Sequence, residues 1–126
     1  KKMTAEKGAS FVLISSLSAH EGSIGQSLYG ATKGALEGFL APASAELAAR
    51  NIRLNVVTPG MVLTDMSLGF MKNLSAEKRE NIESSYPLGL GAPEDAASLI
   101  HWLLSPESKW ATGQSYIIDG GHMVRG

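Results

Sequence analysis

Cysteine is absent from the 126 residues, which excludes disulfides, thiolate metal sites and a cysteine nucleophile. Long apolar runs are absent too. None approaches the ~20 residues that span a bilayer, and the opening Lys1–Gly8 stretch lacks the apolar middle of a signal peptide. A cytoplasmic location without a membrane partner is the expectation. Charge of one sign is scarce: the net charge is −1 and no basic cluster exceeds Lys1-Lys2, so nothing favours a nucleic-acid partner. The three histidines, His20, His101 and His122, stand far apart without ligand spacing, and no metal site is expected.

What is present suits a folded domain. Hydrophobic residues make up 44% and charged residues 18%, the balance of a globular chain long enough for a core. Residues 1–9 are polar and read as the end of an earlier element, with Gly8 able to close a helix. Ser10 to Ser15 is a short continuous apolar run, the pattern of a strand covered on both faces of a parallel sheet. Small and polar residues then mark a loop, and helical periodicity runs from about Ser27 to Arg50 through Leu28, Ala31, Ala35, Leu36, Phe39, Ala43 and Leu47. Gly30, Gly34 and Gly38 form an i, i+4 row that fits a closely approaching backbone. Pro42 should bend the helix, and Asn51 suits a left-handed stop.

Arg53 to Thr58 reads as a second strand ended by Pro59-Gly60, parallel to the first through a right-handed crossover. Residues 61–86, with Met61, Met66 and Met71, suit either a lid over an apolar substrate or an amphipathic surface helix. Pro93-Glu-Asp95 opens a helix whose buried stripe is Ala96, Leu99, Ile100, Leu103 and Leu104. Gly113 to Gly121 reads as a third strand with a glycine turn. Trp102 and Trp110 are expected to anchor packing, whereas His20 and Glu21 read as solvated loop residues and His101 as solvent-facing.

The chemistry concentrates between Ser16 and Lys33. Tyr29 and Lys33 stand four apart, which on a helix puts them on one face, a turn from each other. A free phenol titrates near pH ~10, and a neighbouring ammonium favours the phenolate. Such a tyrosine can give or take a proton. Ser16 follows a predicted buried strand, where its hydroxyl can hold a developing oxyanion. Alone, this spacing equally describes a half-buried tyrosine beside a solvated lysine.

Company decides between the two. Ile14-Ser-Ser16, Tyr29-Gly-Ala-Thr-Lys33, Asn55-Val-Val-Thr-Pro-Gly60, Thr64-Asp-Met66, Pro93-Glu-Asp95, Thr112-Gly113 and Asp119-Gly-Gly121, in this order, resemble the carboxyl-terminal half of the short-chain dehydrogenase/reductase family, of the compact type typified by 3-oxoacyl-carrier-protein reductases. The resemblance covers roughly residues 8–123. It implies an α/β fold, the C-terminal half of a doubly wound, Rossmann-like sheet with about three parallel strands. It further implies that residues 1–126 form a single partial domain lacking the dinucleotide-binding half. By resemblance, Ser16, Tyr29 and Lys33 are catalytic. Tyr29 is the acid/base; Lys33 favours its phenolate and holds the nicotinamide ribose of NAD or NADP; Ser16 binds the substrate oxygen. Pro59 and Gly60 would meet the nicotinamide ring, and Val62 (through its backbone) and Thr64 its carboxamide.

The three-residue gap between Tyr29 and Lys33 favours C=O over C=C reduction within that family. The substrate is then a small carbonyl or alcohol: a β-ketoacyl thioester, a sugar or polyol, or a hydroxy acid. The family's glycine-rich phosphate turn has no counterpart here, since Gly22, Gly25 and Gly30 have other spacing and context. The isolated chain is therefore expected to be inactive, and a non-catalytic interaction module is the alternative. Self-association is expected through helix 27–50 and the last strand.

Overall fold

A computed structural model describes residues 7–124; the first six residues of the expected end of an earlier element at residues 1–9 lie outside them. Three strands form one parallel sheet in the order β1 (Ser10–Ile14), β2 (Arg53–Pro59), β3 (Ser115–Ile118). The register pairs Ser10 with Arg53 and Ile14 with Val57, then Val56 with Ser115 and Pro59 with Ile118. Four helices accompany the sheet: α1 (Ser27–Ala48), α2 (Asp65–Lys72), α3 (Ala76–Ser84) and α4 (Pro93–Leu104). The boundaries expected for β1, α1, β2 and α4 hold closely, β3 is shorter than the expected Gly113–Gly121, and residues 61–86 hold two short helices; α1 runs unbroken through Pro42. Asn51 ends the αβ loop in the left-handed conformation, at φ 56°.

Alternation along β2 divides the core. Leu54 and Val56 face α1, packing with Leu40, Ala43, Leu13 and Leu47. Val57 faces α4, packing with Leu103, Leu99, Ile100, Val12, Tyr116 and Ile118. The strand steps β1 to β2 and β2 to β3 run in one lateral direction, yet α1 and α4 lie on opposite faces. The two crossovers thus have opposite hands, and one departs from the right-handed rule. The long connection over residues 60–92 permits this. It runs past the carboxyl ends of the strands, builds α2 and α3, and re-enters beside Val62 through an isolated parallel bridge to Gly91.

Buried polar groups are paired. Asn55, fully buried, donates Nδ2–H to the Ala111 carbonyl (3.0 Å) and accepts the Gln114 N–H (3.2 Å). Arg53 binds the carbonyls of Ser105 (3.0 Å) and Ser108 (3.0 Å), joining the first residue of β2 to the turn after α4. These ties fix the amino ends of β2 and β3, opposite the carboxyl edge where ligands bind in open α/β sheets.

Four expectations need correction. The stripe Leu28, Ala31, Ala35 and Phe39 points outward; the core-facing residues of α1 are Leu36, Leu40, Ala43, Ser44 and Leu47. Both stripes have helical spacing, so periodicity could not choose between them. Phe11 and Ile14 are each about two-fifths exposed, so β1 is not covered on both faces. Trp110 is 97% exposed and anchors nothing here, whereas Trp102 meets Tyr116 edge-on. Leu104 is half exposed, beyond the buried stripe of α4.

Candidate active site

β1 delivers Ser15 and Ser16 to the sheet's carboxyl edge, where Ser16 caps a single turn of 3-10 helix, Leu17–Ala19. Its Oγ accepts the Ser18 N–H (3.3 Å). That turn lies against the start of α1 so closely that a Cβ at Gly30 would collide with the Ser18 carbonyl oxygen. Gly30 thus permits the approach of the Leu17–Ala19 turn, which Ser16 caps, to the first turn of α1. The glycine row therefore serves two ends. Gly30 meets backbone of its own chain, while Gly34 and Gly38 meet nothing within 4 Å.

Tyr29 and Lys33 share a face of α1. The Lys33 ammonium stands 5.7 Å from the Tyr29 ring centroid and donates to the Ile14 carbonyl at 2.9 Å. The Ser15 hydroxyl in turn donates to the Lys33 carbonyl (3.3 Å). Lysine and β1 are thereby fastened together at both ends of the residue, two positions before Ser16. The Tyr29 ring is 47% exposed, open to a reactant.

One turn beyond Lys33, on the same face, lies Glu37, which sequence reasoning missed. Its Oε1 accepts from Thr58 Oγ1 (2.9 Å) and pairs with His20 Nε2 (3.2 Å). Burial alone would raise its pKa. Hydrogen bonds from Ser115, Ser15, Thr58 and His20 together outweigh that and hold the carboxyl below its ordinary 4.5. The signal was available: 29, 33 and 37 continue one i, i+4 series. His20 is consequently no freely solvated loop residue, and neither is Glu21, whose Oε2 lies 2.9 Å from His122 Nε2.

Past β2, Gly60 donates to the Ile118 carbonyl (2.9 Å), and a Cβ there would stand 2.8 Å from the Tyr86 ring and 2.9 Å from Asp119 Cα. Glycine is therefore required by this chain's own packing. At Val62 the bridge uses the Met61 carbonyl and Leu63 N–H, both bonded to Gly91, so the N–H and C=O of Val62 itself point the other way. Its carbonyl receives the Ser67 hydroxyl (2.7 Å). Thr64 is the N-cap of α2, its Oγ1 accepting the Ser67 N–H and its own N–H reaching Ser67 Oγ (2.8 Å). The structure thus gives Thr64 a capping function independent of any ligand.

Two cavities flank these elements: one of about 420 Å³ within the loop before α1, and one of about 290 Å³ bordered by Gly60, Val62, Gly91 and Asp119. Neither is lined by Tyr29 or Lys33. Among the described residues no group of three His, Asp or Glu side chains could hold a metal ion.

Residues 1–123 match the family model described as "Enoyl-(Acyl carrier protein) reductase". A crystal structure of a short chain dehydrogenase family protein from Francisella tularensis superposes with a TM-score of 0.87 at 30% identity, covering 95% of this chain and 53% of that one. The chain belongs to the short-chain dehydrogenase/reductase family. It is 43% identical over 122 residues to carbonyl reductase family member 4 of Xenopus laevis, covering 96% of this chain and 48% of the relative. To the 3-oxoacyl-[acyl-carrier-protein] reductase FabG of Thermotoga maritima it is 39% identical, covering 97% and 48%. The crystal structure of angucycline C-6 ketoreductase LanV, which has NADP bound, superposes with a TM-score of 0.84 at 27% identity, over 95% and 46%.

The family is one of oxidoreductases, and the three-stranded parallel sheet with its helices matches its fold. The chain spans about half the length of the curated relatives it matches. No helix among the described residues is long and apolar enough to cross a membrane.

Proposed function

We propose that the protein carrying this chain interconverts a carbonyl and a secondary alcohol with NAD or NADP. A β-ketoacyl thioester is the favoured substrate. The observation that carries the reading is the anchored Lys33 ammonium above the Tyr29 ring, with the turn that Ser16 caps packed against Gly30 of the same helix. The relatives named for carbonyl and 3-oxoacyl reduction support it over the C=C chemistry in the family model's description. So does the three-residue spacing from Tyr29 to Lys33.

The residues present fit the nicotinamide end of a dinucleotide. Val62 aims its backbone N–H away from the bridge, Pro59 and Gly60 bring main chain to the same edge, and Thr64 follows them. When bound, the nicotinamide supplies or accepts hydride. Tyr29 then delivers a proton to the carbonyl oxygen or removes one from the alcohol. Lys33 places its ammonium beside the Tyr29 ring and reaches the ribose hydroxyls. Ser16 donates to the same oxygen and fixes its position. The sequence has no glycine-rich turn for the pyrophosphate, so residues 1–126 alone are expected not to turn over.

Replacing Tyr29 by Phe in the full-length protein should lower kcat by roughly 10²–10⁴-fold, the usual weight of general acid–base catalysis. Steady-state reduction of a β-ketoacyl thioester with NADPH or NADH measures it. Unchanged turnover in that variant rules the mechanism out. A second reading, a self-associating module, draws on the outward apolar stripe of α1, where Leu28 and Phe39 are exposed beside the open Gly34 and Gly38. The two are compatible if the enzyme is a homo-oligomer through this helix and the last strand.

A further inference from the structure

His122 lies far from Tyr29 in sequence, and the mechanism above makes no use of it. It is nevertheless buried, at 8% exposure, and its imidazole joins three segments. Nε2 stands 2.9 Å from Oε2 of Glu21, in the loop that leads into α1. A carboxylate only accepts, so Nε2 carries the proton of this bond. Nδ1 lies 3.1 Å from both the hydroxyl and the carbonyl oxygen of Ser85, at the end of α3. The ring stacks on Tyr86, with centroids 4.5 Å apart and planes 25° from parallel. Tyr86 carries the contact further, because its hydroxyl accepts the Met61 N–H (3.0 Å) and its ring lies against Gly60.

The anchor itself is braced. Asp119 accepts the N–H groups of Gly121 (3.0 Å) and Met123 (2.7 Å) through its carboxylate and that of His122 (3.1 Å) through its carbonyl. The loop's other ties lie at its two ends, where His20 pairs with Glu37 (3.2 Å), the Glu21 N–H reaches the Leu17 carbonyl (2.9 Å) and the Gln26 N–H reaches the Ser23 carbonyl (3.1 Å); between them residues 22–25 are exposed and Gly22 and Gly25 have open space around them.

We propose that His122 is a positioning residue for substrate binding: it fixes the distance between the 20–26 loop, which leads into the α1 turn bearing Tyr29, and the Ser85–Tyr86 end of α3. The inference rests on the carbonyl-reductase reading and adds to it a specificity element at the far end of the chain. Losing the imidazole should free the loop without touching the proton donor.

The test uses the full-length protein with His122→Ala, His122→Gln and His122→Asn. Glutamine keeps a donor near the reach of Nε2; asparagine keeps one near Nδ1 only. In His122→Ala, amide exchange over residues 20–26 should rise about tenfold. KM for the carbonyl substrate should rise by a similar factor with kcat within about twofold. Glutamine should restore most of both, and asparagine should not. The proposal is overturned if loop exchange is unchanged in His122→Ala, if glutamine behaves as alanine does, or if exchange rises throughout the molecule and kcat falls with KM. Loop exchange judges His122 even if Tyr29→Phe shows the catalytic reading to be wrong, so the two failures are distinguishable.

Discussion

At Gly30 a single hydrogen in place of a methyl group decides how closely the Leu17–Ala19 turn can approach α1. A Cβ would strike the Ser18 carbonyl oxygen, which belongs to backbone and cannot rotate away. Gly30→Ala should therefore destabilise the fold by about 1–3 kcal/mol, the usual cost of overpacking, and lower activity through displacement of the 3-10 turn. Gly34→Ala, in open space on the same helix, should instead stabilise an isolated chain by up to about 1 kcal/mol. Thermal or urea denaturation of the two variants separates close approach from simple helix propensity. Sequence alone showed three equivalent glycines; only the path of the preceding turn distinguishes them.

Helix α1 works as an element because one edge carries the candidate site and the next the core. Tyr29, Lys33 and Glu37 follow each other a turn apart, and Glu37 gathers Thr58 and His20 beneath the site. Its folded pKa lies below the ordinary 4.5, so the ionised carboxylate stabilises the fold above that value. The contribution fades as pH falls through the lower, folded pKa. Melting temperature measured downward from pH 5 should fall less steeply in Glu37→Gln than in the parent. An equally steep acid limb in both would remove Glu37 from the account. The Tyr29–Lys33 pair was legible because i, i+4 spacing dictates a shared helical face. Glu37's partners were not, because Thr58 and Ser115 reach it only once the sheet is assembled.

For the molecule as a whole, the sheet explains both the site and an exposed weakness. Among the described residues β1 pairs with β2 alone, leaving its other edge unpaired, with Phe11 and Ile14 partly uncovered. An apolar parallel strand with an open edge favours association, as does the outward stripe of α1. Sedimentation of residues 1–126 should show oligomers, and Gly34→Leu should shift them toward monomer. A monodisperse monomer, unaffected by that substitution, would refute both contacts.

The sequence by itself determined the order of the three strands, the approximate boundaries of β1, α1, β2 and α4, and the Tyr29–Lys33 pairing. Each of these follows from local periodicity, turn chemistry and spacing along one helix. It could not determine which apolar stripe of α1 faces the sheet, that α1 and α4 cover opposite faces, or that Glu21 meets His122 across 101 positions. Those relations depend on how the long 60–92 connection carries the chain around the sheet's carboxyl edge. No local rule encodes a path that only the packing of distant segments selects.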